Sequence, residues 1–412
     1  MQPGPKTILY VDVTGRGGGS SSSLRILLGD IDRRRYTPTL LFGDRGHARS
    51  WQPERVYEAW FAGLHNYDFF PAGFRPRWIY HLLKFLVHIP FDLTFAFLLL
   101  RKMKPSLVHI NGGQLLVFGI VSRMLGYPVV WHIRELVSGN PVGRIQDRVY
   151  AWSSDRIIAV SRAVANRIPR SQVRLAVIPN AVSGVHIPPD RVAEFRTTMG
   201  IGQADFVVTL LANRISVSKG YLFFADVAEQ ILNEPGIVLM LAGEYADEVG
   251  PATKRMIRKI IGRLPGGSEE VVIRNRWRTL ITGHRVLFPG ILPPELAIAS
   301  SDIVVCPNTV AEPFGRSVIE ANMQSKPVIA SDLPAFNELI EHEVTGWLLP
   351  VESHIWAETI LKLYFDRTLL LNIGKEAGHR GERFLSARHA GEIMKIYEEV
   401  LRANPNKHIP NP

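Results

Sequence analysis

The chain has 412 residues, a net charge of +10 and a single cysteine, Cys306. Its length allows two or three domains, and one cysteine excludes a disulfide framework and fits a reducing compartment. No cluster of His, Cys and Asp has the spacing of a metal site, so no metal is expected. The positive charge favours anionic partners, but no nucleic-acid-binding motif is visible, which argues against nucleic acid.

The N-terminal half alternates between apolar strand-like runs and helical patterns. Residues 6–14 predict a buried strand, and the glycine- and serine-rich stretch 15–23 predicts a flexible loop before the helical LRILLGDI. Further strands are predicted at 37–44, 106–112, 128–135, 155–161 and 175–182. This alternation indicates a parallel, doubly wound sheet.

Residues 78–100 form the most apolar stretch of the chain, WIYHLLKFLVHIPFDLTFAFLLL. Lys84 and Asp92 interrupt it, and charges are costly at the centre of a bilayer. Two interpretations stay open: an interfacial hairpin that dips aromatic residues into lipid, or a pair of core helices. In the first, the basic residues at the headgroups would be Arg75, Arg77, Arg101, Lys102 and Lys104.

A second alternating series begins near Phe206. Its predicted strands are FVVTLLANR, IVLMLAGE, RVLFPGIL, DIVVCP and PVIASD, with helical patterns between most of them. The segment between the two series, residues 183–190, is rich in Pro and Gly, as a linker should be. The sequence therefore predicts an α/β protein with two doubly wound domains.

The segment EPFGRSVIE places two carboxylates, Glu312 and Glu320, eight residues apart between two predicted strands. Ligands bind at the carboxyl ends of strands in such sheets, and eight helical residues span roughly 12 Å. The two carboxylates could therefore hold two separated hydroxyl-bearing parts of one ligand. The start of the helix near Gly315 and Arg316 is a favourable anion site.

These residues and the flanking segments SDIVVCP and KPVIASDLPAFNELIEHEVTGWLLP resemble the family 4 retaining glycosyltransferases. The resemblance implies the GT-B fold, in which two Rossmann-like domains face each other across a cleft. Residues 1–183 would form the acceptor domain, with the helix in 380–412 packing back on it, and residues 184–379 the donor domain. The implied reaction moves a sugar from a UDP- or GDP-sugar to a glycan or lipid-linked acceptor, without metal or other cofactor.

The resemblance assigns roles to four charged residues of the second series. Arg214 and Lys219, in NRISVSKG, would hold the donor diphosphate, because a departing diphosphate carries about two negative charges that need neutralising. Glu320 would bind the ribose hydroxyls, and Glu312 would lie beside the transferred sugar. A solvated basic loop is the alternative for the first pair.

Three backbone segments complete the implied donor site. Ile291 lies where the family holds the base through backbone contacts, and the loop with Gly17 and Gly18 approaches the phosphates or the acceptor. The backbone N–H groups implied to bind the sugar or its phosphate are those of Phe314, Gly315 and Arg316.

The family often carries H-x-H at the end of the fourth N-terminal strand. Here His109 is followed by Asn111 in the second position, and His132 ends the next strand. Any of the three could hydrogen-bond the donor sugar, and retaining transfer would need no protein nucleophile.

Two other functions stay open: a sugar-nucleotide epimerase on the same scaffold, and a partner subunit that binds nucleotide without transfer. The preferred hypothesis is a glycosyltransferase of cell-surface polysaccharide biosynthesis. Because MQPGPKTILYV enters a strand pattern without a charged-then-apolar leader, the expected location is the cytoplasm, peripheral on the inner face of the membrane, with an anionic surface as partner.

Overall fold

A computed structural model describes residues 4–12, 19–42, 51, 55–58, 77–139, 141–182, 184, 186–245, 269–281 and 285–405. The chain divides into two compact units. The first comprises Met1–Ala181 and Ser386–Pro412, and the second comprises Val182–Leu385. The C-terminal segment therefore belongs to the same unit as the N-terminus.

The strands are β1 (Lys6–Asp12), β2 (Tyr36–Phe42), β3 (Arg55–Glu58), β4 (Leu107–Asn111), β5 (Val129–Ile133), β6 (Arg156–Ala159), β7 (Leu175–Val177), β8 (Phe206–Arg214), β9 (Ile237–Glu244), β10 (Val286–Gly290), β11 (Ile303–Cys306), β12 (Val328–Ser331) and β13 (Gly346–Leu349).

The α-helices are α1 (Gly19–Gly29), α2 (Arg77–Met103), α3 (Leu116–Met124), α4 (Pro141–Ser153), α5 (Arg162–Ala165), α6 (Pro189–Thr198), α7 (Tyr221–Ile231), α8 (Glu269–Ile281), α9 (Pro294–Ala299), α10 (Arg316–Asn322), α11 (Pro334–Asn337), α12 (Ser353–Phe365), α13 (Arg367–Gly381) and α14 (Ser386–Ala403). Two 3₁₀ segments lie at Pro169–Arg174 and Glu382–Phe384.

The first unit is built on a seven-stranded parallel sheet in the order β3-β2-β1-β4-β5-β6-β7. Its central strands are buried throughout, which explains why they appear in the sequence as continuous apolar runs. The strand order reverses between β1 and β4. Loops that follow these two strands therefore border the switch point, where sheets of this kind bind ligands.

The C-terminal helix α14 supplies part of the core of the first unit. Its apolar residues recur at helical spacing and are buried among residues of β1 and α1, where each fully buried side chain contributes about 1.5–3 kcal/mol. Tyr397 of α14 donates a hydrogen bond to the Tyr10 hydroxyl of β1 over 3.1 Å. The buried apolar residues of α14 are Ala390, Ile393, Ile396, Tyr397 and Val400.

The apolar stretch 78–100 lies in one helix, α2, and not in a hairpin or a pair of helices. Its inner face is buried at Asp92, Ala96 and Leu100, spaced four residues apart. Phe95 packs edge-on against Phe118 of α3, with ring centroids 6.5 Å apart. Within the described ranges, no helix has the length and apolar character needed to cross a bilayer.

The second unit contains a six-stranded parallel sheet in the order β10-β9-β8-β11-β12-β13. Its order reverses between β8 and β11, so the segments after these strands border a second switch point. Trp277, Trp356 and Phe224 fill the core beside the sheet. The predicted class of two doubly wound α/β domains is confirmed.

Candidate functional site

A tight turn follows β8 in the second unit and is fixed against the segment that follows β11. Gly220 ends the turn with a φ of 80°, and a Cβ there would lie 1.8 Å from the carbonyl oxygen of Pro307. Only glycine meets both conditions. Thr309 donates a backbone hydrogen bond to Ser218 over 3.1 Å. The two loops at the switch point therefore form one rigid element.

This element brings together Lys219 and Glu312, the residues predicted to bind phosphate and sugar. Lys219 Nζ lies 2.6 Å from Glu312 Oε2, and the Asn308 amide donates to the same oxygen over 2.8 Å. The Glu312 side chain is 18% exposed and that of Lys219 is 40% exposed. No described residue donates to Glu312 Oε1.

The helix α10 begins at Gly315, whose φ of 95° and close approach to Phe336 require glycine. Phe314 is buried, and no side chain caps the first turn. Arg316 donates two hydrogen bonds to Glu320 Oε1, over 3.1 Å from Nε and 2.7 Å from Nη2. Among described residues, nothing donates to Glu320 Oε2. Each of the two predicted carboxylates therefore has one oxygen that accepts from the protein and one without a donor among the described residues.

Arg214 and Ile291 lie on the surface of the second unit. Arg214 ends β8 and is exposed, and its side chain has no hydrogen-bond or ion partner among the described residues. Ile291 follows Gly290 at the end of β10 and is 56% exposed. Gly290 has a φ of 77°, so the backbone turns sharply where the base was expected.

Cys306 is buried at the end of β11. Burial raises the pKa of its thiol to about 12, with Glu312 and Glu320 adding to the effect and Lys219 opposing it. The thiol therefore stays protonated at neutral pH. Within the described residues, no group of three His, Cys, Asp or Glu could hold a metal ion.

The first unit places the three predicted sugar-binding candidates around Arg134. The Arg134 guanidinium donates to Asn111 Oδ1 over 2.6 Å, to Asn180 Oδ1, and to His132 Nδ1 over 3.3 Å. Because arginine only donates, His132 Nδ1 accepts and its Nε2 carries the proton in the neutral ring. Asn111 and His132 are buried at the ends of β4 and β5.

His109 lies deeper in the same cluster. Its Nδ1 is 2.7 Å from the Tyr397 hydroxyl, and both residues are fully buried. Burial, and next the nearby Arg134 charge, lower the pKa of His109 and of His132 well below 6.5. Both rings are therefore neutral at physiological pH. His109 packs with its ring centroid 5.3 Å from that of His132, as part of a polar core.

The loop after β4 is held by two side chains. Glu135 accepts a hydrogen bond from the Gly113 backbone N–H, and Tyr150 donates to the Gly113 carbonyl over 2.6 Å. A Cβ at Gly113 would collide with the Tyr150 hydroxyl. Gly17 and Gly18, predicted to approach the donor or acceptor, lie outside the described residues.

Sequence reasoning missed one residue of this site and the contacts of another. Asn308 is a polar residue two positions beyond the apolar β11, so the strand-end rule could have identified it. Arg134 lies one residue beyond β5, and its position as the shared donor to Asn111, Asn180 and His132 was not predicted.

Two Rossmann-like units, each with polar loops at the switch point of a parallel sheet, define the GT-B class of fold. Two family models match the chain: "Glycosyltransferase Family 4" over residues 17–183 and "Glycosyl transferases group 1" over residues 203–380. The chain belongs to the group 1, family 4 glycosyltransferases.

Curated relatives are similar to this chain over part of their length. A putative glycosyltransferase of Bacillus subtilis, YtcC, is 25% identical over 61% of this chain and 61% of its own. A D-inositol 3-phosphate glycosyltransferase of Segniliparus rotundus is 24% identical over 73% of this chain and 67% of its own. The chain therefore spans about three fifths to two thirds of these relatives.

Solved structures show the same fold at low sequence identity. HepE of Anabaena, in complex with UDP and glucose, has a TM-score of 0.74 at 20% identity and covers 96% of this chain and 100% of its own. A sucrose-phosphate synthase of Thermosynechococcus elongatus has a TM-score of 0.69 at 17% identity, with coverages of 97% and 100%.

Proposed function

We propose that this chain is a retaining glycosyltransferase that moves a sugar from a UDP- or GDP-sugar to a glycan or lipid-linked acceptor, without a metal ion. The observation that carries the proposal is the element at the switch point of the second unit. It joins a lysine, two carboxylates with one open oxygen each, and an exposed arginine. Family membership and the UDP- and glucose-bound HepE support the same ligand class.

The cations of this element suit a diphosphate. The Arg214 guanidinium has no partner among the described residues, and Lys219 lies on the turn before α7. Arginine can bind phosphate through two hydrogen bonds and lysine through a compact charge. Charge that develops on the leaving diphosphate would be stabilised by these two side chains, which is the role that a metal ion fills in other enzymes.

The open carboxylate oxygens suit hydroxyl groups. In the proposed complex, Glu320 accepts from the ribose hydroxyls through Oε2, and Glu312 accepts from the donor sugar through Oε1. Retention would follow from attack of the acceptor hydroxyl on the face that the diphosphate leaves. The sugar–phosphate bond breaks, the new glycosidic bond forms, and a phosphate oxygen takes the acceptor proton.

Asn111 and His132 of the first unit remain proposed hydrogen-bond donors to the transferred sugar. His132 Nε2 and Asn111 Nδ2 have no hydrogen-bond partner among described residues, although both are buried. A buried donor left unpaired costs about 1–3 kcal/mol, so a ligand acceptor would relieve a penalty that the protein now carries. His109 Nε2 is also without a hydrogen-bond partner among the described residues, so His109 stays the third candidate.

The proposal includes peripheral association of the first unit with an anionic membrane surface. The two units differ sharply in charge: the first carries 28 Lys and Arg against 14 Asp and Glu, net +14, and the second carries 20 against 24, net −4. On α2, three apolar side chains share one face and are each about three fifths exposed: Val87, Phe91 and Leu98. Basic residues follow at Arg101, Lys102 and Lys104, all exposed.

Such a surface has the composition of an interfacial helix, with apolar side chains for lipid and cations for anionic headgroups. A membrane-bound acceptor and a role in cell-surface polysaccharide biosynthesis are consistent with it. The expected location is cytoplasmic, at the inner face of the membrane.

The decisive experiment is a product analysis with a panel of UDP- and GDP-sugars, with and without EDTA. Release of nucleoside diphosphate, insensitive to EDTA, is the expected result, and NMR of the product should show the anomeric configuration of the donor. Lys219→Ala should reduce turnover roughly 100-fold, if the lysine supplies about 3 kcal/mol at the developing charge.

Lys362→Ala is the matched control, because Lys362 is an exposed lysine on α12 away from the switch point. An interconverted nucleotide sugar without diphosphate release would instead identify an epimerase. Nucleotide binding without any turnover across the panel and a range of acceptor extracts would favour the non-catalytic subunit.

A further inference from the structure

The Glu312 carboxylate receives two donors of different chemistry on one oxygen. Lys219 Nζ and Asn308 Nδ2 lie 2.6 and 2.8 Å from Oε2. The first is a cation and the second is a neutral amide. This difference matters because only the cation can also neutralise the charge of an incoming phosphate.

The two donors differ in freedom as well as in charge. Lys219 is a long side chain that is 40% exposed, on a turn. Asn308 is 5% exposed and lies two residues beyond β11. A short, buried side chain loses little conformational entropy in holding a fixed partner, whereas a long lysine can be drawn to another anion.

We infer that Asn308 is a positioning residue that holds the Glu312 carboxylate through Oε2 while Lys219 turns toward the diphosphate of the donor. The inference rests on the proposed function and deepens it. A nucleoside diphosphate carries two or more negative charges and competes with Glu312 for the lysine. The neutral amide does not neutralise phosphate, so it stays with the carboxylate.

This arrangement has a consequence for the transferred sugar. With Oε2 fixed by Asn308, Glu312 Oε1 keeps one direction toward the ligand, and the carboxylate keeps its full negative charge. Orientation of this kind contributes to the rate of the chemical step more than to nucleotide affinity. Loss of Asn308 should therefore lower kcat and leave the binding of nucleoside diphosphate unchanged.

The test compares Asn308→Ala with Asn337→Ala. Asn337 is the matched control, because its exposed amide donates to Asp332 over 2.9 Å in the same unit and it has no proposed contact with the ligand. Diphosphate release is measured with the nucleotide sugar that the wild type uses best, and UDP and GDP affinities are measured by calorimetry. Asn308→Ala should lower kcat roughly tenfold with less than a twofold change in affinity, and Asn337→Ala should change neither.

A second arm asks whether Asn308 acts through Glu312. In a Glu312→Ala background there is no carboxylate to hold, so Asn308→Ala should cause no further loss of kcat. Asn308→Asp keeps the shape but replaces the donor by a second carboxylate, so it should lower kcat at least as far as alanine does. If Asn308→Ala fails to fold, the kcat of Asn308→Asp tests the inference in its place.

Unchanged kcat in Asn308→Ala, or an equal fractional loss in the Glu312→Ala background, would overturn the inference. A wild type that releases diphosphate from no nucleotide sugar would overturn the proposed function, and this inference with it. The two failures are distinguishable, because the first is measured only on an active wild type.

Discussion

Lys219 and Glu312 form an ion pair between the two loops at the switch point of the second unit, with Nζ 2.6 Å from Oε2. The sequence alone suggested two separate roles, one at the phosphate and one at the sugar. The pair couples them, because each residue partly neutralises the other when no ligand is bound. If the proposed roles hold, binding of the donor diphosphate should therefore redistribute this contact.

Glu312→Gln should strengthen the binding of UDP or GDP by roughly two- to fivefold. The substitution keeps the shape of the side chain but frees the Lys219 charge for the diphosphate, and a half-exposed pair contributes at most about 1 kcal/mol. Turnover should fall, since the proposed partner of Glu312 is the sugar. Calorimetry gives the affinity, and a weaker affinity would mean that Glu312 itself contacts the nucleotide.

Glu320→Gln should have the opposite effect on affinity. A charged acceptor for ribose hydroxyls contributes about 1.5–3 kcal/mol, so UDP or GDP binding should weaken roughly tenfold or more. Arg316→Gln serves as the companion variant, because it removes the two hydrogen bonds to Glu320 Oε1 but keeps the carboxylate. Affinity retained in Glu320→Gln would contradict the ribose assignment.

Gly220→Ala tests whether the switch-point element depends on close backbone contact. A methyl group there would overlap the Pro307 carbonyl at 1.8 Å and would also require a left-handed φ of 80°. The free energy of unfolding should fall by about 2 kcal/mol or more, as seen for strained and overpacked sites.

Gly200→Ala is the matched control for this change. Gly200 lies in the same unit with a φ of 69°, but no heavy atom lies within 4 Å of an added Cβ. The free energy of unfolding of Gly200→Ala should fall by only about 1 kcal/mol, the cost of placing alanine at a left-handed φ. Urea unfolding of both variants measures the difference in unfolding free energy. Equal losses in the two variants would mean that the Pro307 carbonyl does not exclude a Cβ at position 220.

The histidine cluster of the first unit should make this unit sensitive to acid. Burial, and next the Arg134 charge, lower the pKa of His389 to about 4, and the pKa values of His109 and His132 also lie well below 6.5. The unfolded chain binds protons below about pH 6.5 while the folded unit does not. The free energy of unfolding should therefore fall with pH from 6.5 toward 4, by up to about 1.4 kcal/mol per pH unit for each histidine.

His389→Leu removes one of these proton-binding groups. Its unfolding free energy should fall less steeply between pH 6.5 and 4.5 than that of the wild type, whatever its value at pH 7.5. Urea titrations at a series of pH values give the slopes. Parallel slopes would show that His389 binds its proton equally in the folded and unfolded states.

Many strands of the fold could be predicted because the burial of their side chains follows a regular pattern along the local sequence. The strands β8 and β9 have the predicted limits, since both are continuous apolar runs within a parallel sheet. The predicted strand 175–182 ends at Val177, because Pro179 has no backbone N–H with which to continue the ladder. Patterns of this kind predict where strands and helices lie, but they do not predict which side chains contact each other.

The contacts of the site were beyond such reasoning. Asn308 and Lys219 meet at Glu312 although Lys219 and Glu312 are 93 residues apart in sequence. The pairing depends on β8 and β11 lying side by side, which only the sheet order provides. The helix α2 is a second case: periodicity alone could not tell its buried face from its exposed one, because both faces are apolar.

The exposed face of α2 gives the last prediction, peripheral binding of the protein to anionic membranes. Wild-type protein should sediment with vesicles of phosphatidylcholine and phosphatidylserine, and binding should weaken in high salt without vanishing, because salt screens the cations but not apolar insertion. Phe91 and Leu98 are 60% and 61% exposed, so their replacement together by Ser should release the protein and leave it folded. Phe95→Ser is the contrasting variant, since Phe95 packs against Phe118 and its loss should instead lower stability. Unfolding of the Phe91 and Leu98 variant would place both side chains in the core, and a wild type that ignores anionic vesicles would favour a soluble acceptor.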